Sequence, residues 1–77
     1  MLQCFILWNG RRREYLARRN PHRALEYTIY AYDAAPIQKM AAAEAVAQKI
    51  AKPGEHWEIH RLDKVRMTEE VVKAWQQ

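Results

Sequence analysis

Serine is absent from the 77-residue chain, which has one cysteine and two glycines. Without serine, the commonest hydroxyl nucleophile is missing. Gly10 and Gly54 stand too far apart to build a glycine-rich phosphate loop. The single thiol, Cys4, excludes an internal disulfide. Small secreted domains usually need several disulfides, so a reducing cytoplasm is the expected compartment. No apolar run approaches the roughly 20 residues of a membrane helix. The apolar start, Met1 to Trp8, has no charged stretch ahead of it and no small-residue cleavage site, so no signal peptide is expected.

The 49% apolar, 29% charged and 10% aromatic residues describe a folding chain rather than a disordered tail. At this length one domain is expected over residues 1–77. So small a domain leaves little stability to hold strained, desolvated catalytic groups, and no catalytic constellation is present. The protein is therefore expected not to be an enzyme, and no cofactor is expected.

The charge is unevenly distributed. Up to Leu25 there are six arginines, Arg11, Arg12, Arg13, Arg18, Arg19 and Arg23, against Glu14 alone. The remainder carries seven cations and eight anions. Every cation of the basic segment is arginine, whose planar fork pairs bidentately with carboxylate or phosphate and stacks on rings. The bland alternative is a solvated basic face.

Leu2 to Trp8 is apolar on both alternating faces, as in a strand covered on both sides. Asn9-Gly10 predicts a two-residue type I′ hairpin with Arg11 to Arg18 as the returning strand. That register sets Trp8 opposite Arg11, Ile6 opposite Arg13, Cys4 opposite Tyr15 and Leu2 opposite Ala17. It also predicts a guanidinium over the Trp8 indole. A short Arg-rich helix is the alternative. Leu25 to Tyr32, rich in aromatic and β-branched residues, predicts a third strand. A helix over 21–32 is the alternative there.

Pro36 to Ala51 predicts a helix with Pro36 in its first turn and Ala43 and Ala47 near the centre of its apolar arc. Lys52-Pro53-Gly54 stops it. His56 to Leu62 alternates as a half-buried strand. Thr68, followed by Glu69 and Glu70, predicts a short C-terminal helix packing Val71, Val72 and Trp75. The expected fold is α+β, a small two-layer sandwich in the order β-β-β-α-β-α. A β-hairpin and two further strands carry the Ala-rich helix on one face. A right-handed crossover over Leu25–Leu62 would make its two strands parallel.

Metal chemistry finds thin support. His56, Glu58 and His60 share one strand face, but the two histidines stand about 13 Å apart along the backbone. They read as the polar face of a half-exposed strand. Cys4, in mid-strand, reads as a small buried hydrophobe. No metal ligand is assigned.

The partner-binding candidates are Trp8, Arg11, Arg12, Arg13, Arg18, Arg19, Tyr30 and Tyr32. Arginine beside exposed aromatics is the composition of interface hot spots and of nucleic-acid stacking platforms. The expected function is binding by contact to an acidic protein surface or a ribonucleoprotein complex, without membrane. The alternative is direct nucleic-acid binding through the Arg-rich hairpin.

Met1–Arg18, Tyr27–Tyr32, Pro36–Ile50 and Trp57–Leu62 give a hairpin, a third strand, an Ala-rich helix and a further strand. That organisation resembles small phage-encoded host-takeover proteins, several anti-CRISPR proteins among them. The resemblance implies stoichiometric inhibition of a bacterial effector by covering one of its surfaces. It assigns no site residue.

Overall fold

A computed structural model describes residues 3–18 and 25–76. The described residues form one five-stranded antiparallel sheet with one α-helix: β1 (Gln3–Asn9), β2 (Glu14–Arg18), β3 (Glu26–Thr28), α1 (Met40–Ile50), β4 (His56–Asp63) and β5 (Thr68–Gln76). The order across the sheet is β3-β2-β1-β4-β5. No helix among the described residues is long and apolar enough to cross a membrane.

The α+β class holds, and several finer expectations do not. The C-terminal segment is strand β5, paired with β4 from His56↔Gln76 to Asp63↔Thr68 with a register shift between Ile59 and His60. Thr68 and the two glutamates suit a helix start, but β4 needs a partner on its outer edge, and Val71, Val72 and Trp75 suit a strand. Asp63 Oδ1 accepts the amides of Val65 and Arg66, closing the turn that brings β5 back. There is no parallel crossover: β4 pairs antiparallel with β1, and β3 lies on the far side of β2.

Nor does Asn9-Gly10 form a two-residue turn. β1 pairs with β2 through Trp8↔Tyr15 and Asn9↔Glu14, so the loop is Gly10 to Arg13. Asn9 ends β1 and is fully buried, and it caps the loop instead of forming its corner. Its Oδ1 accepts the Arg12 amide at 2.9 Å and its carbonyl the Arg13 amide at 2.8 Å. The left-handed residue is Arg13, at φ 56°.

β3 is only three residues long, and the chain after it makes one 3-10 turn at Ala31–Asp33. That segment then inserts beside β1. Phe5 and Ile37 exchange both backbone hydrogen bonds, and the Ala35 amide donates to Leu16 O. Pro36 therefore precedes the helix, which starts after Lys39.

Helix α1 packs on one sheet face. Ala43 and Ala47 are fully buried against Leu7, Leu16, Trp57 and Ile59. Small residues at those two positions let the helix backbone approach the sheet closely, as expected from sequence. The other face has a smaller core of Cys4, Ile6 and Leu62 covered by Ala34. Both faces of β1 are thus covered, and Cys4 is a buried free thiol.

Candidate functional site

Arg11, Arg12 and Arg13 project from the β1–β2 loop, and all three are exposed. Asn9 holds the loop from below, and the Gly10 amide donates to His56 O at 2.8 Å. Gly10 is required for space: a Cβ there would sit 2.8 Å from the His56 ring. The Arg12 guanidinium lies over the Tyr27 ring, 3.9 Å from its centre. Its Nε stands 3.7 Å from Glu14. Among the described residues no carboxylate lies within ion-pairing distance of Arg11 or Arg13.

Beside the loop opens a groove of about 440 Å³, lined by Arg11, Arg12, Leu25, Tyr27, Ile50, Lys52 and Glu55. Glu55 is the one acid among the described residues that line it. Burial works to raise the Glu55 pKa, but the Lys52 amide, the Trp57 indole and the Asn9 amide together hold it below the usual carboxylate range. Its Oε1 accepts Lys52 N–H at 2.8 Å and Trp57 Nε1–H at 3.2 Å. Asn9 Nδ2 contributes by proximity and makes no hydrogen bond of standard geometry. Tyr27 is raised from its ordinary value by burial, and Glu55 and Glu14 add to this against the opposing Arg12 charge.

No family model matches the chain, and no curated protein or solved structure matches it either.

The aromatic candidates lie elsewhere. Trp8 points to the face away from α1, stacked on His60 at 6.0 Å and edge-on to His56 at 6.5 Å. The expected guanidinium–indole contact is replaced by Arg12 on Tyr27. Tyr32 is exposed and its hydroxyl reaches Met67 Sδ at 3.2 Å, by the β4–β5 turn at the other end of the sheet. Tyr30 is exposed, and no described arginine sits over either ring. Arg19 and the side chain of Arg18 lie outside the described residues.

The polar face of β4 holds a second cluster. Glu58 bridges both histidines: His56 Nε2 meets Oε2 and His60 Nε2 meets Oε1, each at 2.7 Å. His60 Nδ1 meets Glu69 Oε2 on β5, which also accepts the Tyr15 hydroxyl at 2.5 Å. Both ring nitrogens of His60 are thus engaged by carboxylates, one from its own strand and one from β5. Burial opposes ionisation of Glu58, yet the hydrogen bonds and charge of His56 and His60 outweigh it and lower its pKa. Tyr15 is pushed far up by burial first and then by its bond to Glu69.

The sequence placed His56, Glu58 and His60 on one face but kept the two imidazoles apart. Their side chains converge because the central carboxylate reaches both ways. Among the described residues no three His, Cys, Asp or Glu side chains are arranged to hold a metal ion. Both Glu58 oxygens and both His60 ring nitrogens are engaged within the cluster. Glu69 is not legible as a member of this cluster from sequence, because Thr68-Glu69-Glu70 reads locally as a helix start. The groove residues Leu25, Ile50 and Lys52 carry no local motif and meet only through the fold.

Proposed function

We propose that this protein is a non-catalytic binding module that engages an acidic protein surface by stoichiometric contact, centred on Arg11, Arg12 and Arg13. One observation carries the reading: three consecutive arginines stand exposed on a loop that the fold braces, and Arg11 and Arg13 have no described carboxylate partner. A protein that used arginine only for solubility would gain nothing from clustering it on a capped turn. Bidentate arginines next to an aromatic side chain supply affinity from a small footprint.

Covering a surface of a bacterial effector complex, as the likeness in organisation to anti-CRISPR proteins implies, is the specific form we propose. The bacterial cytoplasm, as host to a phage-encoded protein, is the compartment that suits a single unpaired thiol.

The test is affinity capture of the tagged chain from a bacterial lysate, with and without nuclease, alongside an Arg11→Glu/Arg12→Glu/Arg13→Glu variant. A defined protein captured despite nuclease and lost in the variant supports the reading. Capture unchanged by charge reversal refutes it. Loss of all partners on nuclease treatment supports nucleic-acid binding instead. Binding to phosphates through three arginines would then give a slope of log K against log salt of about −3.

A further inference from the structure

The groove beside the loop has the parts of a carboxylate receptor. Arg12 is held in place over Tyr27 at 3.9 Å. A guanidinium held over a ring still has its in-plane N–H groups to give. Among the described residues the one carboxylate within ion-pairing distance is Glu14, at 3.7 Å, which is too long for a hydrogen bond. The donors of Arg12 are therefore unspent within the described residues. Arg11 and Lys52 add positive charge on either side. The one acid of the lining, Glu55, is turned inward onto Lys52 N–H and the Trp57 indole. Leu25, Tyr27 and Ile50 supply apolar wall.

We infer that this groove binds an acidic peptide segment of the partner, with one carboxylate received by the Arg12 fork and an adjacent leucine-like side chain against Ile50 and Leu25. The inference rests on the reading of the arginine loop as a contact surface and names what that surface takes. Charge complementarity selects the acid, and the apolar wall selects a peptide over a small inorganic anion. At this groove a nucleic-acid strand is disfavoured because no free aromatic face is left for its bases to stack on. The ring face in the groove is already covered by Arg12, and Trp8 is stacked on His60 on the other side of the sheet.

The experiment is an NMR titration of the ¹⁵N-labelled full chain with three probes. They are acetyl-Asp-Leu-Glu-Leu-Glu-amide, its Asn/Gln counterpart and hexathymidylate. The acidic peptide is expected to move the signals of Arg12 Nε, Tyr27 and Ile50, and the neutral one to leave them in place. Arg12→Lys keeps the charge but loses the fork, and should weaken the peptide about tenfold. An unchanged amide spectrum away from the loop certifies that this variant is folded. Shifts spread evenly over all the arginines, equal binding by Arg12→Lys, or tighter binding of hexathymidylate at the groove would overturn the inference. If the peptide fails while charge reversal still abolishes capture of the native partner, the groove assignment falls and the contact reading survives. If the peptide binds at the groove but capture ignores charge reversal, the contact reading falls.

Discussion

Two charged regions of this small sheet are built on opposite principles. On the face away from the helix, His56, Glu58, His60, Glu69 and Tyr15 hydrogen-bond to one another across strands β2, β4 and β5. At the arginine loop, Arg11 and Arg13 find no described acid, although the remainder of the chain is rich in carboxylates. The cluster uses its charges to tie the strands together. The loop uses backbone capping by Asn9 to hold its charges out. Removing a member of the first region should therefore cost stability, and removing one from the second should cost binding.

The largest effect is expected at His60, which is 8% exposed and lies between two carboxylates. His60→Ala removes the hydrogen-bonding bridge between Glu58 and Glu69 and takes the stacking partner from Trp8. Destabilisation of about 2–3 kcal/mol in urea unfolding is expected, less than for a fully buried pair because Glu69 is partly open to water. A loss under about 0.5 kcal/mol would put the cluster among ordinary surface charges.

Gly10→Ala links the two regions and comes next. The new methyl would stand 2.8 Å from the His56 ring, and the ring has to move off Glu58 to make room. Gly10 has no positive φ, so the cost is steric alone. About 1–2 kcal/mol is expected. Wild-type stability in Gly10→Ala with the His56–Glu58 contact kept would show that the loop has slack.

Acid titration sharpens the comparison further. Glu58 has its pKa lowered from the ordinary 4.5. A carboxylate lowered in the folded state contributes stability that is full above its unfolded value and disappears as pH falls through the folded one. The unfolding free energy should therefore drop below pH 4.5, and Glu58→Gln should flatten that drop. Tyr15 behaves in the opposite sense. Its pKa is raised, so its contribution is full below pH 10 and fades above it. Tyr15→Phe should remove part of the alkaline loss. If both variants track the wild type at every pH, the cluster does not link folding to protons.

What the sequence showed depends on whether local signals agreed with pairing across the sheet. Helix α1 was legible because its alanine-rich stretch, apolar arc and Lys52-Pro53-Gly54 stop all point one way. The burial of Ala43 and Ala47 follows from the same arc. The segment from Thr68 was misread because its first three residues suit a helix start, while the decisive fact, an unpaired edge of β4, is not local. Asn9 misled in a similar way: Asn-Gly suits a tight turn, but a buried Asn at a strand end can cap a longer loop with its own side chain. The arginine loop was visible as charge. The groove was not, because Tyr27, Ile50 and Lys52 come from a strand, the end of a helix and a turn.

The smallest expected effect on stability separates the two regions most cleanly. Arg13 sits at φ 56°, a conformation that costs a side-chain-bearing residue about 1–2 kcal/mol. Glycine would relieve that strain and give back about 0.5–1 kcal/mol through the greater freedom of its unfolded chain. Arg13→Gly should therefore be neutral to slightly stabilising in urea unfolding, while capture of an acidic partner weakens. That outcome would show that the Arg13 side chain serves binding rather than folding. A clear loss of stability in Arg13→Gly would mean that the side chain itself braces the loop, and the contrast between a self-satisfied cluster and an outward-directed loop would fail at that residue.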